Sequence, residues 1–141
     1  MANARVRLTA LVGAINDSAT DVVYYVDSHN GDVSKISRGA PLADLARFKT
    51  MSDKDPDRFL KVPKPTGEES YGDMAEFTRT VKDRKLQERL QIAVRGGGTM
   101  RNFLDALTPS PMEKERWYKF RESRVHARAR DWVRQNGLEP V

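Results

Sequence analysis

The apolar positions change period along the chain, and each change marks an element. Leu8, Leu11, Val12 and Ile15 recur at i, i+3, i+4 and i+7, the spacing of a short amphipathic helix that Asn16-Asp17 can end. Val22 to Asp27 is β-branched and aromatic, and reads as a strand. Ser28-His29-Asn30-Gly31 follows as a turn, with Asn30-Gly31 the hairpin signal, and Asp32 to Ser37 returns through Val33 and Ile36. Two strands alone are marginal in water, so the hairpin must gain a third strand or pack on a helix. Arg58 to Val62, stopped by Pro63, is the candidate third strand. Before it, Pro41 opens a short helix through Leu42, Leu45, Ala46 and Phe48, and Met51 to Asp57 reads as a polar loop.

Beyond Pro63 the period is helical. Thr66 with Glu69 and Ser70 with Asp73 both have capping-box spacing, ahead of a helix with Tyr71, Met74, Phe77 and Val81 on its buried side. Asp83 can cap a helix running to Arg95, with Leu86, Leu90, Ala93 and Val94 on one face. Gly96 is placed to take the left-handed conformation that ends it, with Gly97 and Gly98 completing the turn. Thr99 can cap the next helix, whose apolar face is Met100, Phe103, Leu104 and Leu107. Phe103 is expected in the core, at the crossing of these two corner helices. After Thr108-Pro109, Ser110, Pro111 and Glu113 start a last helix that should reach about Gln135 and stop at Asn136-Gly137. Its natural core stripe is Tyr118, Val125, Ala129 and Val133. Trp117, Arg121, Arg124, Arg128 and Trp132 fall in a separate arc of roughly 80°, with the tryptophans as a rim beside the stripe. The expected class is α+β, mostly helical: an N-terminal helix and β-hairpin packed with a C-terminal helical bundle. Residues 1–141 are read as one domain, with a helix-plus-hairpin subregion over 1–63 and a basic helical subregion over 64–141.

Composition narrows the setting. The 141 residues are 38% hydrophobic and 32% charged, so the core is modest. No apolar run of about 18 residues exists, so no membrane span is expected. Leu8 to Ile15, behind Arg5 and Arg7, is short and broken by Thr9 and Gly13, and is not read as a signal peptide. The absence of cysteine excludes disulfides and thiol chemistry and fits a cytoplasmic protein. The net charge of +5 is uneven: Met1 to Asp57 holds seven Lys/Arg and eight Asp/Glu, and Arg58 to Val141 holds eighteen and twelve. A basic second half is compatible with nucleic acid or an acidic protein as partner.

Most chemical motifs fail on their spacing. Asp53-x-Asp55-x-Asp57 resembles the start of a calcium loop, but Arg58 and Lys64 stand where the loop needs glycine and glutamate, and Pro56 intrudes. His29 and His126, the two histidines, have no second ligand at helical spacing. The three glycines lack the lysine and hydroxyl residue of a phosphate loop and follow a helix, not a strand. No serine sits in a nucleophile elbow. No catalytic residue, metal or cofactor is therefore assigned. What is left is basic. Arg95 and Arg101 flank the glycine corner, where an anion could sit at the helix start, and Arg101 and Asn102 occupy the positions from which a helix-turn-helix reads bases. Arg121, Arg124 and Arg128, beside Trp117 and Trp132, form a file of guanidinium groups suited to phosphates and bases. The same arginines can instead pair with carboxylates or stack on rings to hold the fold.

A family resemblance adds to this. Tyr71-x-x-Met74-x-x-Phe77, Leu90-x-x-Ala93 and Gly96-x-Gly98-x-x-Arg101-x-Phe103-x-Asp105-x-Leu107 form one half of a pattern. Trp117-Tyr118-x-Phe120-Arg121, Trp132 and Asn136-Gly137-Leu138 form the other, with Tyr25-Val26-Asp27 and Gly31-Asp32-Val33 in the hairpin. Together they resemble uncharacterised protein family 0158 of the UPF series. The match is close from Tyr71 to Leu138 and patchy before Phe59. This chain has Leu104 where that pattern carries lysine, and Arg124 and Arg128 where it is apolar or small. The resemblance implies a small bacterial α+β protein and no particular activity.

The reading is a small, non-enzymatic binding or regulatory protein whose basic C-terminal helices contact nucleic acid or another polyanion. The alternative is a protein–protein adaptor, or a dimerising module, that uses a hairpin edge or the tryptophan rim. An enzyme would require a deep pocket with convergent polar groups.

Overall fold

A computed structural model describes residues 3–97 and 99–141; Gly98, part of the expected glycine turn, lies outside the described residues. Among the described residues are six helices and two small sheets, the mostly helical α+β class that the periodicity predicts. The chain forms two compact units, one comprising the chain up to Lys64 with Val125–Val141, the other Pro65–Arg124.

The first unit contains β1 (Arg5–Val6), α1 (Leu8–Asn16), β2 (Val22–Asp27), β3 (Val33–Ser37), α2 (Leu42–Lys54), β4 (Phe59–Lys61) and β5 (Glu139–Pro140). The hairpin gains its third strand as expected: the sheet order is β3-β2-β4, antiparallel throughout, with Val26 opposite both Val33 and Leu60. Asp27 N–H donates to the Asp32 carbonyl (2.9 Å) and Gly31 N–H to the Asp27 carbonyl (2.7 Å). The loop is therefore the four residues Ser28-His29-Asn30-Gly31 read as the turn, and within it only Gly31 has positive φ, +82°. A Cβ on Gly31 would lie 1.9 Å from the Arg5 carbonyl oxygen, so glycine also permits the close approach of that chain.

Strand alternation sends Tyr24 and Val26 into a core with Leu11, Val12, Ile15, Val62, Val125, Ala129 and Val133. Tyr25 and Phe59 instead meet Phe48 of α2, each at 4.9 Å between ring centres. Helix α2 runs on to Lys54, through the start of the expected loop. Met51 and Ser52 continue the half-buried stripe of Leu45 and Phe48, but one apolar contact per turn is a weak periodic signal. The parallel pairing of β1 with β5 joins two-residue strands from opposite ends of the sequence, and no local pattern announces it.

The second unit is helical: α3 (Gly67–Arg79), α4 (Arg84–Arg95), α5 (Met100–Leu107) and the part of α6 (Pro111–Gln135) up to Arg124. Thr66 and Glu69 form the reciprocal capping box, leaving Ser70 inside the helix. Asp83 accepts from the Lys85 and Leu86 N–H groups, and Thr99 from Asn102 N–H, so both corner helices are capped as expected. Gly96 is not left-handed: its φ is −78°, and Gly97, at +111°, makes the turn.

The core of this unit is Met74, Phe77, Val81, Leu86, Leu90, Val94, Phe103, Leu107 and Trp117. Phe103 is fully buried, as predicted. Trp117 is not on a rim but fully buried, 4.8 Å from Phe103 and 5.3 Å from Phe77 between ring centres. Tyr118, expected in the core, is 50% exposed, and so nearly is Tyr71 at 49%. Each half of α6 serves its own core, so one stripe drawn along all 25 residues misplaces the tryptophan. Val125, Ala129 and Val133 are buried as expected. Gly137 (φ +72°) ends α6 in a Schellman motif, with Leu138 N–H on the Val133 carbonyl and Gly137 N–H on the Arg134 carbonyl, both 3.0 Å.

Candidate polyanion interface

The arginines divide into those that the fold uses and those that it leaves open. Arg58 makes two hydrogen bonds to the buried Asp27 carboxylate (3.1 and 2.9 Å) and lies 5.1 Å over Phe59. Burial alone would raise the Asp27 pKa; the Arg58 hydrogen bonds, the His29 N–H and the nearby positive charge outweigh it and hold the carboxyl below its usual range. Arg116 grips Glu113 in the same bidentate way (3.0 and 2.7 Å), reaches the Thr80 hydroxyl (2.8 Å) and lies 4.4 Å over Phe77. That grip, with burial opposing it, lowers the Glu113 pKa. Arg124 pairs with Glu76 and lies 5.0 Å over Phe120.

The expected file Arg121, Arg124, Arg128 is therefore no row of open cations. Arg121 and Arg128 are half-buried and also engaged within the protein. Arg121 and Arg124 belong to the second unit and Arg128 to the first, where Trp132 packs half-buried against the aliphatic core.

Arg95, Arg101 and Asn102 are exposed around the glycine corner. Among the described residues, no side-chain hydrogen bond or ion pair holds Arg95 or Arg101. Arg95 opens onto a groove of about 240 Å³ where α3 packs on α4. Its floor is Ala75, Thr78 and Val94; its rim is Tyr71, Arg79, Gln91 and Arg95, all exposed. Helical spacing assembles it: 71, 75, 78 and 79 share one face of α3, and 91 and 95 are one turn apart on α4. The Gln87 amide donates to the Thr78 carbonyl (3.1 Å) and the Thr78 hydroxyl to the Met74 carbonyl (2.7 Å), which fixes the floor. Arg79 and Arg95 are the last residues of their helices, where the backbone dipole favours a cation. Neither they nor the Gln91 amide or Tyr71 hydroxyl has a side-chain partner among the described residues. The sequence reading missed Tyr71, Arg79 and Gln91 as site residues. Tyr71 is in register with Met74 and Phe77, which drew it into the core stripe; the repeat 71-75-78 is the signal that would have exposed the groove.

Bulk charge does not single out this unit. Pro65–Arg124 holds twelve Lys/Arg against ten Asp/Glu and the other unit thirteen against ten, so the basic excess of the second half of the sequence is shared between them. The first unit has a cavity of about 450 Å³ lined by Arg5, Arg7, Ala10, Asn30, Gly31, Asp32 and Val33. Its described lining has a single carboxylate and no hydroxyl, thiol or imidazole, so it offers no nucleophile–base pair. Asp55 accepts from His29 Nε2 at 2.9 Å, and Asp53 lies in α2. No helix among the described residues is long and apolar enough to cross a membrane.

Comparison with known proteins places the chain. A UPF0158 protein of Pseudomonas aeruginosa is 26% identical over 118 residues, 84% of this chain and 75% of the relative. UPF0158 proteins of Chlamydia muridarum and Chlamydia trachomatis are 26% and 25% identical over 136 residues, 96% of this chain. The chain spans only 41% of the length of each chlamydial relative. No solved structure matches it. The family model of the Uncharacterised protein family (UPF0158) matches residues 2–141, and the chain belongs to that family.

Proposed function

We propose that this protein binds nucleic acid, and that the α3–α4 groove of the second unit makes the contact. The observation that carries the reading is the contrast among arginines. Arg58, Arg116 and Arg124 are each occupied by a carboxylate and a ring, and would have to break those contacts to meet a phosphate. Arg79 and Arg95 are exposed on one groove with no carboxylate in its described lining. Arg101 and Asn102 extend the open polar surface at the start of α5.

Phosphate binding releases counterions, so for each contact log affinity falls by about 0.9 on duplex and about 0.7 on single strands per tenfold rise in salt. Gel shifts with random DNA and RNA at about 50 mM salt, where phosphate contacts are strong, test the reading. The expected result is binding that weakens steeply with salt, with a slope reduced by about one to two units in Arg79→Gln/Arg95→Gln. No shift at tens of micromolar, roughly the limit of ordinary non-specific affinity, rejects it. The second reading, a protein adaptor, is supported by the 69% exposure of Ile92 and the 85% exposure of Met112 on the same unit. Binding through such side chains would resist salt.

A further inference from the structure

Resting on that reading, we infer that the groove selects single-stranded nucleic acid, by stacking an unpaired base on Tyr71 while Arg79 and Arg95 hold the adjoining phosphates. Tyr71 is the aromatic ring on the groove rim. It is 49% exposed, and no other ring or cation packs on it among the described residues. Every base presents a π-face, but in a duplex those faces are covered by neighbouring pairs. A protein ring reaches one only when the strand is unpaired.

The size of the groove points the same way. About 240 Å³ is below the roughly 300–1,000 Å³ of pockets that enclose a small molecule. It suits one unit of a polymer better than a whole enclosed molecule. The apolar floor of Ala75 and Val94 accepts the flat body of a base. The Gln91 amide, with donors and an acceptor at the rim, can meet its edge. One effect opposes the proposal: Arg79 and Arg95 end their helices, and each helix end carries about half a negative charge. A full guanidinium charge exceeds that, and no carboxylate in the described lining adds to it, so the groove stays attractive to phosphate.

The test uses the full chain and fluorescence anisotropy with a labelled single-stranded oligonucleotide and a blunt-ended, fully paired duplex of the same composition. Wild type should favour the single strand. Tyr71→Ala and Tyr71→Leu should lose about 5- to 100-fold on the single strand, the usual worth of one stacked base, and leave duplex binding unchanged. Tyr71→Phe should stay within about threefold of wild type, because the ring is kept. Arg79→Gln/Arg95→Gln should flatten the single-strand salt slope by about 1.4. Circular dichroism should match throughout, since Tyr71 belongs to neither buried cluster. Equal binding of both probes with no effect of Tyr71→Leu overturns this inference and leaves nucleic-acid binding standing. No binding of either probe overturns both.

Discussion

The two units solve the same packing problem with different materials. The first has an aliphatic core of valine, leucine, isoleucine and alanine, drawn from both ends of the sequence. The second has an aromatic centre, Phe77, Phe103 and Trp117 with Phe120 at its edge, built from one continuous stretch. One device recurs in both: a guanidinium over a ring and paired with a carboxylate. It occurs as Arg58–Phe59–Asp27 in the first unit, and as Arg116–Phe77–Glu113 and Arg124–Phe120–Glu76 in the second. Each of these arginines is held by a ring and a carboxylate of its own unit. Arg79 and Arg95 of the second unit are exposed and, among the described residues, have neither kind of partner, which is why the proposed function rests on them.

The largest expected effect falls on the aromatic core. Phe103 is fully buried and meets Phe77 and Trp117 edge-on. Phe103→Ala should cost about 3–5 kcal/mol, the range for a buried aromatic. In a Trp132→Phe background the remaining tryptophan, Trp117, reports on this unit alone, so urea titration by fluorescence locates the loss. A loss below about 1 kcal/mol would mean that the aromatic centre is not a packed core.

In the first unit the sensitive point is a glycine. Gly31→Ala combines a positive φ, about 1–2 kcal/mol, with a Cβ driven into the Arg5 backbone, about 1–3 kcal/mol for overpacking. A sum near 3 kcal/mol, read by urea titration, is expected. A neutral result would mean that Arg5 does not pass against the hairpin loop.

A smaller, pH-dependent effect belongs to Arg58. Its removal strands the Asp27 carboxylate, but solvent reaches the pair from the arginine side and screens it. The folded Asp27 pKa lies below its ordinary value of about 3.9. Its contribution to stability is therefore complete above that value and is lost as pH falls through the folded pKa. Arg58→Gln should be less stable than wild type by a constant margin from about pH 5 upward, with the margin closing in acid. Denaturation midpoints between about pH 2 and 7, spanning that titration, check it; a margin that did not narrow in acid would rule out this linkage.

The contrast between the units also explains what could be read from the residues alone. The bounds of β2, the Asp83 and Thr99 caps and the Asn136-Gly137 stop rest on neighbours a few positions away, and they appear where expected. The pairing of β1 with β5 and the grip of Arg124 on Glu76 depend on residues far apart in sequence. Trp117 and Tyr118 differ by one position, and only tertiary neighbours decide which is buried. For the candidate interface, the place of Arg95, Arg101 and Asn102 around the glycine turn was legible, but the groove needs faces of two helices at once, which a pattern along one helix does not show.

The smallest effect tests the corner itself. Gly96 and Gly97 are adjacent, and helix-ending logic alone favours Gly96 as the left-handed residue. With φ at −78°, Gly96 can become alanine, and among the described residues the crowding is the Ile92 carbonyl oxygen 3.2 Å from the new Cβ. Making the unfolded chain less flexible adds about 0.4–1 kcal/mol to folding stability, which this contact offsets, so Gly96→Ala should stay within about 0.5 kcal/mol of wild type. Gly97 has open space around it but a φ of +111°, so Gly97→Ala should cost about 1–2 kcal/mol through the backbone alone. Urea midpoints of the two variants, measured side by side, should separate by that amount; the reverse order would make Gly96 the turn residue. If the proposed groove binds phosphate, Arg79 and Arg95 precede this turn, so Gly97→Ala should keep their share of the salt slope even as it lowers stability.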